Sequence, residues 1–216
     1  MKSFVAYPLE FEKILFPQAA NGGNSGKVVA HYELYKKVRH LNGSVIKCGI
    51  SAEEGFTRFA IFRSLMNSQR EQKMIAFEKY PQEKYRDAEL EDNESVQYQV
   101  SSSSRLIDRM QQVLIQKGIS ENVDFVPGDV HDSIPNYLIE NPELKIAFLN
   151  IDLDNYESTL TTLEYLYPRL VEGGVLVLDN YFKNEEEHKA IETYFSHAKV
   201  VINNFSVSKG PHYVIK

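Results

Sequence analysis

Short apolar runs alternate with amphipathic stretches from about residue 28 to the carboxyl terminus. A continuous apolar run is typical of a strand buried on both faces, whereas apolar residues three or four positions apart indicate a helix. On this basis we predict strands at 44–48, 73–77, 123–126, 145–151, 175–178, 199–202 and 213–215. We predict helices at 28–40, 54–68, 103–117, 132–140, 158–170 and 185–197.

This alternation predicts an α/β protein with a mostly parallel sheet and helices on both of its faces. Two helix ends carry additional signals. Gly118 directly follows the third predicted helix, 103–117, and a glycine at that position is a signal for the end of a helix. Asn184 and Glu187 form the pattern of a capping box in front of the last helix. Both signals support the predicted boundaries.

The size and composition of the chain fit one domain. It has 216 residues, of which 43% are hydrophobic and 25% are charged, as in ordinary globular domains. A loop rich in Gly and Asn at 18–26 separates an N-terminal extension, 1–27, from a main domain, 28–216. Cys48 is the only cysteine, which excludes an intrachain disulfide and a cysteine-rich metal cage.

Charge and hydropathy narrow the range of partners. The net charge is -6 and the isoelectric point is near 5.6, which argues against nucleic acid because phosphate backbones attract clustered Lys and Arg. No apolar stretch approaches the roughly 18 residues of a membrane span, and the first residues lack the basic-then-apolar layout of a signal peptide. We therefore expect a cytoplasmic protein without a nucleic-acid or membrane partner.

Polar residues follow two of the predicted strands at the edge where ligands of parallel sheets bind. Asp152 and Asp154 come directly after the strand at 145–151, and Asp179 and Asn180 end the next strand. Carboxylate and amide oxygens are ligands that suit Mg²⁺, Mn²⁺ or Ca²⁺. The residues alone leave open the alternative that these side chains cap the following helices.

The same region carries a resemblance to a known family. Residues 150–159 read Asn-Ile-Asp-Leu-Asp-Asn-Tyr-Glu-Ser-Thr, and residues 177–181 read Val-Leu-Asp-Asn-Tyr. These runs resemble the macrocin O-methyltransferase family of metal-dependent sugar O-methyltransferases, and the resemblance extends over about residues 28–216. It implies a three-layer, Rossmann-like class I methyltransferase fold with a seven-stranded sheet, and S-adenosylmethionine and Mg²⁺ (or another divalent cation) as cofactors.

The resemblance also implies roles for individual residues. The metal ligands would be Asp152, Asp179 and Asn180, and Asp152 would also be catalytic, as an acceptor of the hydroxyl proton. The residues implied in cofactor binding are Gly49, Ser51, Glu78, Gly128, Asp129 and Asp152. The acceptor would be a small-molecule or glycan precursor, with 87–104 either a lid over it or a solvated loop, and we expect a homodimer.

The cofactor loop, residues 47–55, departs from the family pattern. Lys47 stands where the family carries an acidic residue, Glu53 where it carries a Gly, and Gly55 where it carries a Ser. Because S-adenosylmethionine has cationic groups and a carboxylate, these charges would oppose its binding if they entered the pocket. The alternative is that Lys47 and Glu53 point into solvent and form a surface pair.

Two functions therefore remain open at this point. The first is an S-adenosylmethionine-dependent, Mg²⁺-assisted O-methyltransferase acting on a hydroxyl of a sugar, glycan or natural-product precursor. The second is a catalytically impaired methyltransferase-like protein that serves as a binding or scaffold partner in the same kind of pathway. We interpret His131 and His188 as surface histidines, and Cys48 as a buried apolar residue.

Overall fold

The computed structural model describes residues 25–49, 53–66, 72–78, 107–205 and 210–216. The helices are α1 (Ser25–Val38), α2 (Glu53–Leu65), α3 (107–116), α4 (Val130–Glu140), α5 (Tyr156–Leu166) and α6 (Glu185–Phe195). The strands are β1 (Ser44–Cys48), β2 (Met74–Glu78), β3 (Val123–Pro127), β4 (Ile146–Ile151), β5 (Leu170–Leu178), β6 (Asn203–Asn204) and β7 (His212–Ile215). The N-terminal segment 1–24 and the predicted lid at 87–104 lie outside the described residues.

The strands form one sheet in the order β3-β2-β1-β4-β5-β7-β6. Strands β1 to β5 are parallel, and β7 runs antiparallel to both of its neighbours, so the sheet is mostly parallel as predicted. The chain moves outward from β1 to β3 and then returns to place β4 beside β1. This reversal creates a crevice at the carboxyl ends of β1 and β4, where open α/β sheets bind ligands.

The sheet buries apolar side chains on both faces, as the predicted three-layer fold requires. Side chains alternate along a strand, so Val45 packs with one cluster, which includes residues of α1 and α2, and Ile46 packs with the other, against α4, α5 and α6. Lys47 follows Val45 by two positions and therefore lies on the α1–α2 face. Asn150 of β4 is its neighbour in the ladder. A lysine and an asparagine thus interrupt a core otherwise made of aromatic and aliphatic residues.

Most predicted boundaries agree with the structure to within a few residues, but the sixth strand was placed wrongly. We predicted it at 199–202, and the ladder with β7 instead begins at Asn203. Val200 and Ile202 pack against the second core cluster without pairing. These two residues are apolar because they pack against that cluster. A single sequence cannot distinguish such a packed loop from a strand.

The predicted helix signals are present, one of them in altered form. Gly118 adopts a φ of +64° after α3, and Asn184 caps α6 by accepting hydrogen bonds from the backbone N–H groups of Glu186 and Glu187. The side chain of Glu187, however, turns inward and does not complete a capping box. Within the ranges that the structure describes, no helix is long and apolar enough to cross a membrane.

Candidate functional site

The ends of β1, β4 and β5 are level with one another and are held by backbone hydrogen bonds. The register pairs Cys48 with Ile151 and Ile151 with Leu178. Beyond these pairs, the Asp152 N–H donates to the Cys48 carbonyl over 3.0 Å, and the Asp179 N–H donates to the Ile151 carbonyl over 3.1 Å. Asp152 and Asp179 therefore start from adjacent points on the edge of the sheet.

Gly49 makes the close approach of β1 and β4 feasible. Its φ is +83°, a conformation that residues with a Cβ rarely adopt. A Cβ at this position would lie 2.2 Å from the carbonyl oxygen of Asp152. Only glycine therefore fits at the floor of this crevice, which is where Gly49 was predicted to contact a cofactor.

Lys47 reaches this site from the α1–α2 face of strand β1. Its side chain is 1% exposed, and its Nζ donates to Asn150 Oδ1 over 2.9 Å and to Asp152 Oδ2 over 3.0 Å. The alternative that Lys47 points into solvent is therefore wrong. Its charge is neutralised by Asp152. Residues 50–52, with Ser51, and the side chain of Glu53 lie outside the described part of the chain.

Asp179 is the second buried carboxylate, with a side chain that is 1% exposed. Its Oδ1 accepts a hydrogen bond from His31 Nε2 over 2.8 Å, and its Oδ2 lies 3.1 Å from Lys27 Nζ. An Arg58 guanidinium nitrogen lies 3.2 Å from His31 Nδ1. Because guanidinium only donates, Nδ1 must accept, which leaves the imidazole proton on Nε2 to face Asp179.

These contacts keep both carboxylates ionised. Burial by itself would raise the pKa of Asp179, but His31 and Lys27 outweigh it and hold that pKa well below its ordinary value. Burial opposes ionisation of Asp152 in the same way, and Lys47 holds its pKa below the ordinary value. Burial is also the main cause that lowers the pKa of His31, so this imidazole is neutral near pH 7.

Asn180 joins the two strand ends to helix α6. Its side-chain Nδ2 donates to Asp152 Oδ1 over 2.7 Å, and its backbone N–H donates to Glu187 Oε1 over 3.1 Å. Glu187 is fully buried, and burial together with the nearby carboxylates raises its pKa to about 8. It is therefore largely protonated at neutral pH and adds little charge to the site.

The predicted metal trio converges, but its atoms do not fit a divalent cation in this arrangement. Each of the four oxygens of Asp152 and Asp179 has a nitrogen donor within 3.1 Å. Two lysine ammonium groups already balance the two carboxylates, whereas Mg²⁺ requires oxygen ligands that are free to coordinate it. No group of three or more His, Cys, Asp or Glu side chains in the described residues could hold a metal ion.

The other positions predicted to bind the cofactor follow β2 and β3. Glu78 ends β2, and the N–H of Gly128, which has a φ of +125°, donates to its carbonyl over 2.9 Å. Asp129 caps α4 by accepting a hydrogen bond from the His131 N–H over 3.1 Å. These residues share the carboxyl edge with Gly49, and their contacts with a cofactor stay a prediction.

The contacts of His131, His188 and Cys48 are structural. His131 is exposed and its Nδ1 lies 2.8 Å from the Thr161 hydroxyl, while His188 Nδ1 lies 3.1 Å from the Tyr181 carbonyl. Cys48 is fully buried, and burial raises the pKa of its thiol to about 12. Cys48 is therefore a core residue and not a nucleophile.

Sequence reasoning missed Lys27, His31 and Arg58. Their contacts depend on how α1 and α2 dock on the sheet, which a linear pattern does not reveal. One signal was present for His31, because it lies three residues after Val28 and three before Leu34, in the buried stripe of α1. A polar residue in such a stripe needs a buried partner.

The fold and its strand-edge crevice define a class I, Rossmann-like methyltransferase architecture. The crystal structure of the calicheamicin methyltransferase CalS11 matches with a TM-score of 0.70 and 19% identity, covering 98% of this chain and 94% of that chain. The structure of the O-methyltransferase NovP matches with a TM-score of 0.62 and 17% identity, covering 89% and 80%. Residues 76–208 match the model of the macrocin-O-methyltransferase (TylF) family, and the chain belongs to that family.

Curated relatives match over shorter segments. The demethyldecarbamoylnovobiocin O-methyltransferase of Streptomyces niveus is 36% identical over 76 residues, which are 35% of this chain and 28% of that protein. The mycinamicin III 3''-O-methyltransferase of Micromonospora griseorubida is 35% identical over 63 residues, which are 29% of this chain and 23% of that protein. The matched segments thus span about a quarter of the length of these relatives.

The pairing of Asp179 leads to a prediction about stability. Asp179→Asn should lower the free energy of unfolding by about 3 kcal/mol at neutral pH, because it leaves Lys27 without its buried counter-charge. The matched control is Asp124→Asn, which removes the half-exposed pair with Lys73 and should cost less than about 1 kcal/mol. Urea denaturation measures both changes.

The same pair predicts a pH dependence. The folded-state pKa of Asp179 is depressed, so its stabilisation is present above the unfolded-state pKa and disappears as pH falls through the folded-state pKa. The difference in unfolding free energy between the native chain and Asp179→Asn should therefore shrink as pH is lowered below about 4. A difference that stays constant down to the lowest pH at which the protein folds would contradict this pairing.

Proposed function

We propose that this chain transfers a methyl group from S-adenosylmethionine to a hydroxyl of a small-molecule acceptor, such as a sugar, glycan or natural-product precursor. The observation that carries this proposal is the crevice between β1 and β4, floored by Gly49, in a member of the macrocin-O-methyltransferase family. The names of its relatives support an acceptor of this kind, since they describe O-methylation of demethyldecarbamoylnovobiocin and of mycinamicin III.

The reaction is a displacement at carbon. The acceptor oxygen forms a bond to the methyl carbon, the bond from that carbon to sulfur breaks, and its electron pair remains on S-adenosylhomocysteine. The hydroxyl proton leaves to a base or to water. Catalysis of such a step depends on holding the oxygen, carbon and sulfur in line.

Neutralisation of Lys47 removes the main objection to cofactor binding. An uncompensated lysine in the crevice would repel the sulfonium and ammonium groups of S-adenosylmethionine. The ion pair with Asp152, at 3.0 Å, replaces that repulsion with the much weaker field of a dipole. Lys47 is therefore compatible with a working cofactor site, which favours the enzyme over the impaired scaffold.

Asp152 fits an orienting role better than that of proton acceptor. Its lowered pKa makes it a weak base, and its two oxygens are held by Lys47 and Asn180. We therefore assign to Asp152 the positioning of these two side chains. Asp154 follows it on the same loop with an exposed side chain. Comparing the single variants Asp152→Asn and Asp154→Asn would therefore show which of the two carboxylates the rate of methyl transfer requires.

Magnesium assistance was predicted from the family resemblance, and the donor set around Asp152 and Asp179 does not fit it. The proposed chemistry therefore contains no metal step. The expected homodimer also stays a prediction, for which light scattering of the purified chain is the direct measurement.

Cofactor binding is the first experimental consequence. We expect calorimetry to show binding of S-adenosylhomocysteine with a dissociation constant in the range of about 1–100 μM, equivalent to about −8 to −5 kcal/mol. Gly49→Ala should abolish it, because the added Cβ would collide with the Asp152 carbonyl. Gly118→Ala is the matched control, since Gly118 also has a positive φ but no neighbour within 4 Å.

A native protein that binds neither S-adenosylmethionine nor S-adenosylhomocysteine would reject the enzyme and favour the scaffold. Binding that Gly49→Ala leaves intact in a folded protein would place the cofactor elsewhere.

An exposed aromatic side chain beside the site is a suitable surface for the acceptor. Phe182 follows Asn180 by two residues and is 71% exposed. Its ring stacks on His188 with centroids 5.8 Å apart and meets His212 edge-on at 4.6 Å. A sugar or aromatic ring can pack on such a face.

We therefore expect Phe182→Ala to raise the KM for the acceptor about tenfold, which corresponds to about 1.4 kcal/mol of lost binding. The affinity for S-adenosylhomocysteine should not change. Ile139→Ala is the control, because Ile139 is similarly exposed, at 77%, on helix α4. An unchanged KM in Phe182→Ala would remove this face from the acceptor site.

A further inference from the structure

The site carries its own cations. Asp152 and Asp179 provide two negative charges, and Lys47 and Lys27 provide two positive charges at 3.0 and 3.1 Å. His31 donates a hydrogen bond to the other oxygen of Asp179. The two carboxylates are thus balanced without any added ion.

Lys47 and Lys27 differ in how far their side chains are exposed to solvent. The Lys27 side chain is 23% exposed and is in contact with solvent. The Lys47 side chain is 1% exposed and lies on the α1–α2 face of β1. Withdrawing it would remove the counter-charge of the Asp152 carboxylate and the donor to the buried Asn150 amide oxygen, which is unfavourable.

Gly55 of helix α2 makes room for this lysine. A Cβ at Gly55 would lie 2.9 Å from Lys47 Cε and 3.4 Å from Nζ. A serine, which the family resemblance places at this position, would therefore press on the lysine stem. Lys47 and Gly55 are complementary departures from the family pattern.

We propose that Lys47 is a built-in cation that takes the electrostatic place of a divalent metal in this site. The charge arithmetic supports the exchange. Replacing an acidic residue by lysine changes the local charge by two units, which is the charge of Mg²⁺. The ammonium lies in hydrogen-bond contact with Asp152, one of the residues predicted as a metal ligand.

Direct metal titration tests this proposal. Calorimetry with MgCl₂ or MnCl₂ alone, on the full chain without cofactor, should detect no binding by the native protein. Lys47→Glu should gain affinity for Mn²⁺ by at least tenfold, and Lys47→Met, which only removes the charge, should gain a smaller amount. Lys73→Met is the matched control, because Lys73 pairs with Asp124 on the surface and its loss should not change metal affinity.

Submillimolar binding of Mg²⁺ by the native protein, lost in Asp179→Asn, would overturn the proposal. So would folded Lys47→Glu and Lys47→Met variants that bind Mn²⁺ no better than the native chain. The readout requires no methyl transfer. The proposal can therefore fail while the proposed function holds, and the reverse is also true.

A double-mutant cycle provides a test that does not depend on metal. Gly55→Ser should lower the melting temperature of the native chain, because its Cβ presses on the Lys47 stem. In a Lys47→Ala background, where that stem is absent, the same substitution should have a much smaller effect. Equal effects in the two backgrounds would show that Lys47 and Gly55 are not coupled, and would contradict the proposed seat of the lysine.

Discussion

The largely buried ion pair between Lys47 and Asp152 is the interaction on which the site depends. A carboxylate at the edge of a buried sheet is unfavourable unless a cation or several donors accompany it. Here the partner comes from the adjacent strand β1, and its stem lies beneath a glycine of α2. Asn180 then docks on the other oxygen of Asp152. The geometry of the crevice therefore follows from one charge pair and two glycines, Gly49 and Gly55.

A second pair repeats this principle on β5. Asp179 is paired through α1, with Lys27 and with a His31 imidazole whose tautomer is set by Arg58. Helix α1 thus takes part in the chemistry of the edge as well as in the core. The two carboxylates remain ionised side by side because each has its own counter-charge, and Glu187 behind them keeps its proton.

The parallel strands and the adjacency of Asp152, Asp179 and Asn180 could be predicted because apolar runs locate strands and the carboxyl ends of parallel strands share an edge. The partners of these residues could not. Whether Lys47 points into the site or into solvent depends on the space that Gly55 leaves, and His31 reaches Asp179 only through the docking of α1. The prediction of the sixth strand was wrong because Val200 and Ile202 pack against the core cluster and do not pair with a neighbouring strand.

The central claim is that an internal cation makes the cofactor site complete without metal. It is tested most directly by titrating S-adenosylhomocysteine into the native chain in excess EDTA and again in excess Mg²⁺. The account predicts binding in EDTA with a dissociation constant that Mg²⁺ changes by less than about twofold, or about 0.4 kcal/mol. Binding that is absent in EDTA and appears only with Mg²⁺ would contradict it.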